Sequence, residues 1–183
     1  ATGFIIQDGR CTGIETTKGR ILAERTAIAV AGHSSHVAAM AGLKLPVESH
    51  ILQAFVSEPI KPLVHHVVSF GAELFYLSQS DKGELVIGAG SDQYISYAQR
   101  GSFQIIEHTL EAICELFPIF RRMRMLRQWA GIVDITPDTT PIMGRTPFSN
   151  LYVNCGWGTG GYKAIPAGGD TMGRVPSRGP PLP

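Results

Sequence analysis

Apolar and polar positions change rhythm several times along the chain, and each change predicts an element. Phe4-Ile5-Ile6, residues 11–17 and residues 20–23 are short strand-like runs separated by Asp8-Gly9 and Lys18-Gly19, two hairpin turn signals. The opening therefore predicts a β-meander. Ala27-Ile28-Ala29-Val30-Ala31 follows without alternation and ends at Gly32, the pattern of a strand covered on both faces in a parallel sheet. Ser34 or Ser35 is placed to cap a helix over 36–42, with Gly42 at its C-terminal turn. Pro46 and Pro59 bracket an extended piece over 50–57. Residues 70–77 and 84–89 predict two strands around Ser80-Asp81-Lys82-Gly83. The spacing of Phe103, Ile106, Leu110, Ile113 and Phe117 predicts a helix over 102–117 with one apolar stripe, ended by Pro118.

Composition narrows the classes. Apolar residues are 44% of the 183 and charged residues 17%, which describes a chain that folds. Sixteen Lys and Arg against fifteen Asp and Glu leave a net charge of +1, without the basic excess of a nucleic-acid binder. Cys11, Cys114 and Cys155 are odd in number and widely spaced, which predicts a reducing, cytoplasmic location. The uncharged stretch 26–43 contains His33, Ser34, Ser35 and His36 and reads as a strand and a short helix, not a membrane span. Arg121, Arg122, Arg124 and Arg127 predict a solvated basic face, with an anionic ligand or acidic partner as the alternative. Residues 174–183 are rich in Pro and Gly and predict a disordered tail.

Candidate chemistry concentrates in three places. Leu151-Tyr152-Val153-Asn154-Cys155 is an apolar strand that runs into Gly156-Trp157-Gly158-Thr159-Gly160-Gly161-Tyr162-Lys163. Glycines at that density let a backbone approach a ligand, and free N–H groups can meet phosphate or carbonyl oxygens. Gly156, Gly158 and Gly161 match G-x-G-x-x-G, the basis of a nicotinamide dehydrogenase reading. That reading lacks the downstream acidic residue, and Pro166 is expected to interrupt the helix that should follow. The second place is residues 129–144, where Asp138 sits between Pro137 and Pro141 and is placed to brace a turn. The third is the strand end Val30-Ala31-Gly32-His33-Ser34. His33 and His36 lack the further ligands a metal needs, and Cys155 reads as a small buried residue rather than a nucleophile.

Taken together, Val30-Ala31-Gly32-His33-Ser34-Ser35, residues 82–90, residues 129–138 and Asn154 to Lys163 resemble the FAD-dependent amine and amino-acid oxidoreductases of the D-amino-acid oxidase type. Within that family the likeness is to the β-subunit branch of the heterotetrameric sarcosine oxidases, and it runs to about Met172. The resemblance implies an α/β fold: a partial FAD-binding domain, with parallel sheet and β-meander, into which an antiparallel-sheet substrate domain is inserted. Residues 1–43 and 129–173 would form the FAD-binding part, 44–128 the substrate domain and 174–183 the tail. It implies FAD contacts from Ala31, Gly32, Gly156, Gly158, Thr159, Gly160 and Gly161, and a substrate-carboxylate contact from Lys163. A rough match puts Val86 where monomeric relatives carry an oxygen-activating lysine. The implied activity is oxidative demethylation of sarcosine or a similar N-methyl amino acid, in concert with other subunits of a hetero-oligomeric oxidase. The family's FAD-pyrophosphate turn and FMN-linking histidine fall outside this chain, so it is expected to be the C-terminal half of a subunit. The alternative is a non-catalytic fragment that binds no cofactor by itself.

Overall fold

The computed structural model describes residues 1–73 and 75–175. The chain divides into two compact units, Ala1–Ser49 with Val133–Pro183, and His50–Ile132.

The first unit opens with the meander: β1 (Gly3–Gln7), β2 (Arg10–Thr16) and β3 (Gly19–Leu22) pair antiparallel in the order β1-β2-β3. Asp8 and Gly9 both take positive φ, 49° and 74°, as a tight hairpin turn requires. A second sheet joins the two ends of the chain. Its order is β10 (Ile142–Arg145), β11 (Leu151–Cys155), β4 (Thr26–Ile28). β4 and β11 run parallel, with Val153 opposite Ile28. Cys11, Ile28, Ala38, Leu151 and Val153 form the core beneath them.

The run at 27–31 is shorter as a strand than its apolar composition predicts. β4 stops at Ile28, where only Ile28 is buried, and Ala31–His33 forms a 3-10 turn with Ala31 at φ +46°. The helix α1 (Ser34–Ala39) starts two residues earlier than expected and has no side-chain cap. Ser34 Oγ instead donates to the Ala31 carbonyl at 2.6 Å, and Ser35 Oγ to the Val47 carbonyl at 2.5 Å. The two hydroxyls thus tie the strand end and the chain that leaves the helix to it rather than capping it. Gly42 follows at φ +72°, as the C-terminal reading requires.

Helix α3 (Gly161–Arg174) continues through Pro166. Proline there removes one backbone hydrogen bond, the one to the Tyr162 carbonyl, and the rest of the helix is retained. The expectation that Pro166 interrupts it is corrected. Arg174 closes the helix, and residues 176–183 of the expected tail lie outside the described residues.

The second unit carries a five-stranded sheet in the order β6-β7-β8-β5-β9. Its strands are β5 (Glu48–Pro59), β6 (Val68–Phe70), β7 (Phe75–Gln79), β8 (Glu84–Ser91) and β9 (Met125–Ile135). The piece at 70–77 is not one strand: Phe70 pairs with Phe75 across a turn, so β6 and β7 form a hairpin. Helix α2 (Phe103–Leu116) packs on one face, over Phe55, Phe75, Leu77, Leu85 and Ile87. Its buried stripe uses Ile105, Ile106, Leu110 and Ile113, while Phe103 is 74% exposed at the first turn and lies outside the stripe. Ser102 caps the helix, its Oγ accepting the Ile105 N–H at 3.4 Å. Beneath the cap, the buried Gln53 accepts the Ser102 N–H and a Gln128 N–H, both at 2.8 Å. A 3-10 turn at Pro118–Arg122 ends α2, and Arg121, Arg122, Arg124 and Arg127 are all exposed.

Candidate functional site

The apolar strand β11 delivers the chain to Gly156 at φ +74°, then Gly158 at φ +51°. Both are left-handed conformations that a side chain resists. Asp134, on β9 and 2% exposed, holds the start of this turn: its Oδ2 accepts the Gly156 N–H at 2.5 Å. Thr136, two residues on, fills the space beside it, since a Cβ on Gly156 would lie 2.6 Å from Thr136 Cγ2. Trp157 is pinned by its indole N–H, which donates to Asn154 Oδ1 at 2.6 Å. Gly168 of α3 admits the ring, because a Cβ there would stand 3.1 Å from Trp157 Cζ2. A 3-10 turn over Gly158–Gly160 then leads directly into α3.

These parts border a cavity of about 560 Å³ within the first unit, a volume ordinary for a small-molecule or cofactor site. Its wall includes Ala29 and Ala31 from the end of β4, Asn154 and Gly158 from the end of β11, and Asp134. β4 and β11 are parallel neighbours, so the cavity lies off the carboxyl ends of both, where open α/β sheets bind ligands. Of the residues singled out from the sequence, Ala31, Gly158 and Gly161 line it. Gly32 is buried, and its carbonyl accepts the Ser49 hydroxyl at 2.6 Å. Gly156 is buried, and Thr159 and Lys163 are exposed. Neither these three nor Gly160 borders the cavity.

Asp134, Asn154 and Trp157 were not marked as site residues by the sequence. The one available signal for Asp134 was a lone acid inside the β-branched run Ile132-Val133-Asp134-Ile135. Asp138, placed between Pro137 and Pro141, is exposed, and its Oδ1 accepts the Thr140 N–H at 3.1 Å. That bond holds its carboxyl below the ordinary range and makes it a turn brace. Val86 lies on β8, in a cleft of about 350 Å³ with Val56, Glu84, Leu126, Arg127 and Trp129.

Cys155 is fully buried, and burial, with the nearby Asp134 charge, pushes its thiol up to about 11. A raised folded-state value for a thiol stabilises the fold below its ordinary value of 9.0 and loses that contribution as pH rises toward 11. Urea unfolding between those two values is therefore expected to show stability falling with pH, and Cys155→Ala is expected to flatten the slope. An unchanged slope in the variant would assign the alkaline loss to other groups.

The model of the FAD dependent oxidoreductase family, DAO, matches residues 1–174, and the chain belongs to that family. Sarcosine oxidase subunit beta of Rhodobacter capsulatus is 52% identical over 178 residues, covering 97% of this chain and 43% of that protein. The protein of the same description from an Arthrobacter species is 53% identical over 171 residues, covering 93% and 42%. The solved L-proline dehydrogenase of P. horikoshii superposes with a TM-score of 0.82 at 27% identity, covering 94% of this chain and 48% of that one. The chain thus spans less than half the length of these relatives. Among the described residues no helix is long and apolar enough to cross a membrane.

Proposed function

We propose that this chain is part of a sarcosine oxidase β-subunit-like enzyme that oxidises sarcosine or a similar N-methyl amino acid. Residues 1–43 and 129–173 are its portion of the FAD-binding domain and 44–128 its substrate domain, a division supported by the two compact units Ala1–Ser49 with Val133–Pro183 and His50–Ile132. The observation that carries the cofactor reading is the cavity off the carboxyl ends of β4 and β11, walled by small residues and the glycine turn. The substrate reading is supported by the 52% identity with sarcosine oxidase β subunits.

The residues fit an extended cofactor. Ala29, Ala31, Gly158 and Gly161 carry little or no side chain, so a ligand can lie against the main chain. Ala31, Gly32, Gly156, Gly158, Thr159, Gly160 and Gly161 make up the two segments that would hold FAD. Bound there, the flavin supplies a two-electron acceptor for the hydride of the N-methyl carbon, and the substrate imine left behind hydrolyses to formaldehyde and glycine. Lys163 anchors the substrate carboxylate, and other subunits of a hetero-oligomeric oxidase complete the assembly. In the test, the purified whole protein is expected to show the visible flavin bands, and anaerobic sarcosine to bleach the long-wavelength one. A colourless protein would refute the cofactor reading. A coloured protein whose band survives sarcosine and other N-methyl amino acids would refute the substrate reading alone.

A further inference from the structure

We infer that Asp134 is the positioning residue of the glycine turn: its buried carboxylate sets the turn in the conformation that receives the cofactor. The inference rests on the FAD reading above and goes beyond it to a residue of β9 that lies outside the glycine motif.

Four observations converge on Asp134. Its side chain is 2% exposed, so the carboxylate has given up water and needs compensation from the protein. Its Oδ2 takes that compensation from the Gly156 N–H at 2.5 Å, a charge-assisted contact to the first residue of the turn. Its backbone carbonyl lies 3.7 Å from where a Cβ on Gly158 would stand, so one residue borders both left-handed glycines. Asp134 itself contributes to the cavity wall beside Gly158 and Trp157.

A merely structural carboxylate would be as well placed against a buried serine or a helix end. This one is directed at a main-chain N–H in a turn whose φ values, +74° at Gly156 and +51° at Gly158, few residues other than glycine adopt. Glycines make the turn possible, but they also give it many alternatives in the absence of a tether. The Asp134 contact selects one of them. A ligand binding a preset turn does not bear the ordering cost that a loose glycine turn would impose.

The experiment compares Asp134→Ala and Asp134→Asn in the whole flavoprotein, reading the FAD dissociation constant by flavin fluorescence and the visible flavin spectrum. Asparagine keeps an oxygen acceptor for the Gly156 N–H at the same reach, and alanine does not. Asp134→Ala is expected to weaken FAD binding about 30-fold and to broaden the visible bands, from the loss of one charge-assisted hydrogen bond. Asp134→Asn is expected to stay within about threefold of the parent, as the conservative acceptor allows. If the alanine protein does not fold, Asp134→Glu replaces it: the carboxylate displaced by one methylene is expected to bind FAD more weakly than the asparagine variant. A folded alanine variant that holds FAD within a factor of two, or an asparagine variant as weak as alanine or glutamate, overturns the inference. A parent protein that binds no FAD overturns the reading on which the inference rests, and the inference with it.

Discussion

Gly156→Ala is expected to destabilise the fold by about 2–5 kcal/mol, the sum of a left-handed backbone imposed on an L-residue and an overpacked methyl group. The two contributions are separate. At φ +74° the new Cβ crowds its own backbone, and the same Cβ would lie 2.6 Å from Thr136 Cγ2 on a neighbouring segment. Thr136 cannot swing aside freely, because it is buried and its Oγ1 donates to the Thr140 carbonyl at 2.9 Å. Gly160 supplies the control. Its φ is −87°, and a Cβ there would meet nothing within 4 Å, so Gly160→Ala is expected to change stability by no more than about 0.5 kcal/mol. Urea unfolding of both variants reads the contrast. Equal stabilities would mean that the turn relaxes around the methyl group and that Thr136 does not confine it.

Lys163→Ala is expected to weaken sarcosine binding by roughly 30- to 150-fold, the equivalent of about 2–3 kcal/mol, while flavin content stays intact. Lys163 is the third residue of α3, where the helix dipole presents its positive end, so a cation there does not help the helix form. Its side chain is exposed and does not border the cavity. Local stability therefore gives no reason for a lysine at this position, whereas an incoming carboxylate does: the ammonium and the helix start are both electropositive. Removing it is expected to leave thermal unfolding unchanged or slightly improved. The effect should appear in KM rather than in kcat, since the contact is made to substrate and transition state alike. A variant with KM and kcat for sarcosine within a factor of two of the parent would remove Lys163 from the site.

The elements that could be read directly were those specified by neighbours in the chain. The Asp8-Gly9 and Lys18-Gly19 turns and most of the α2 stripe depend on residues within a turn or two of one another, and local sterics and periodicity suffice. The glycine turn was legible for the same reason: glycines this dense after an apolar strand weaken any helix or strand that would include them, so the chain must turn there. Where local rules failed, a non-local contact had prevailed. Ala27 to Ala31 carries the composition of a buried strand, but only Ile28 meets the core, and the chain turns at Ala31. Pro166 breaks helices in isolation, yet α3 continues past it, with Gly168 packed on Trp157 two residues further on.

What the sequence by itself determined was the kind of element along most of the chain, though not at residues 29–31, at 70–77 or past Pro166, and the likeness to an FAD-dependent family. The tertiary structure decided which strands share an edge. β4 and β11 come from opposite ends of the chain and become parallel neighbours, and that pairing brings Ala31 and Gly158 to one cavity. It also decided the role of Asp134. An acid in an apolar strand is ambiguous as text, because its meaning depends on the group that faces it. Only the folded chain sets the Gly156 N–H against its carboxylate, since that contact is made between β9 and the residue that follows β11, which no local periodicity relates.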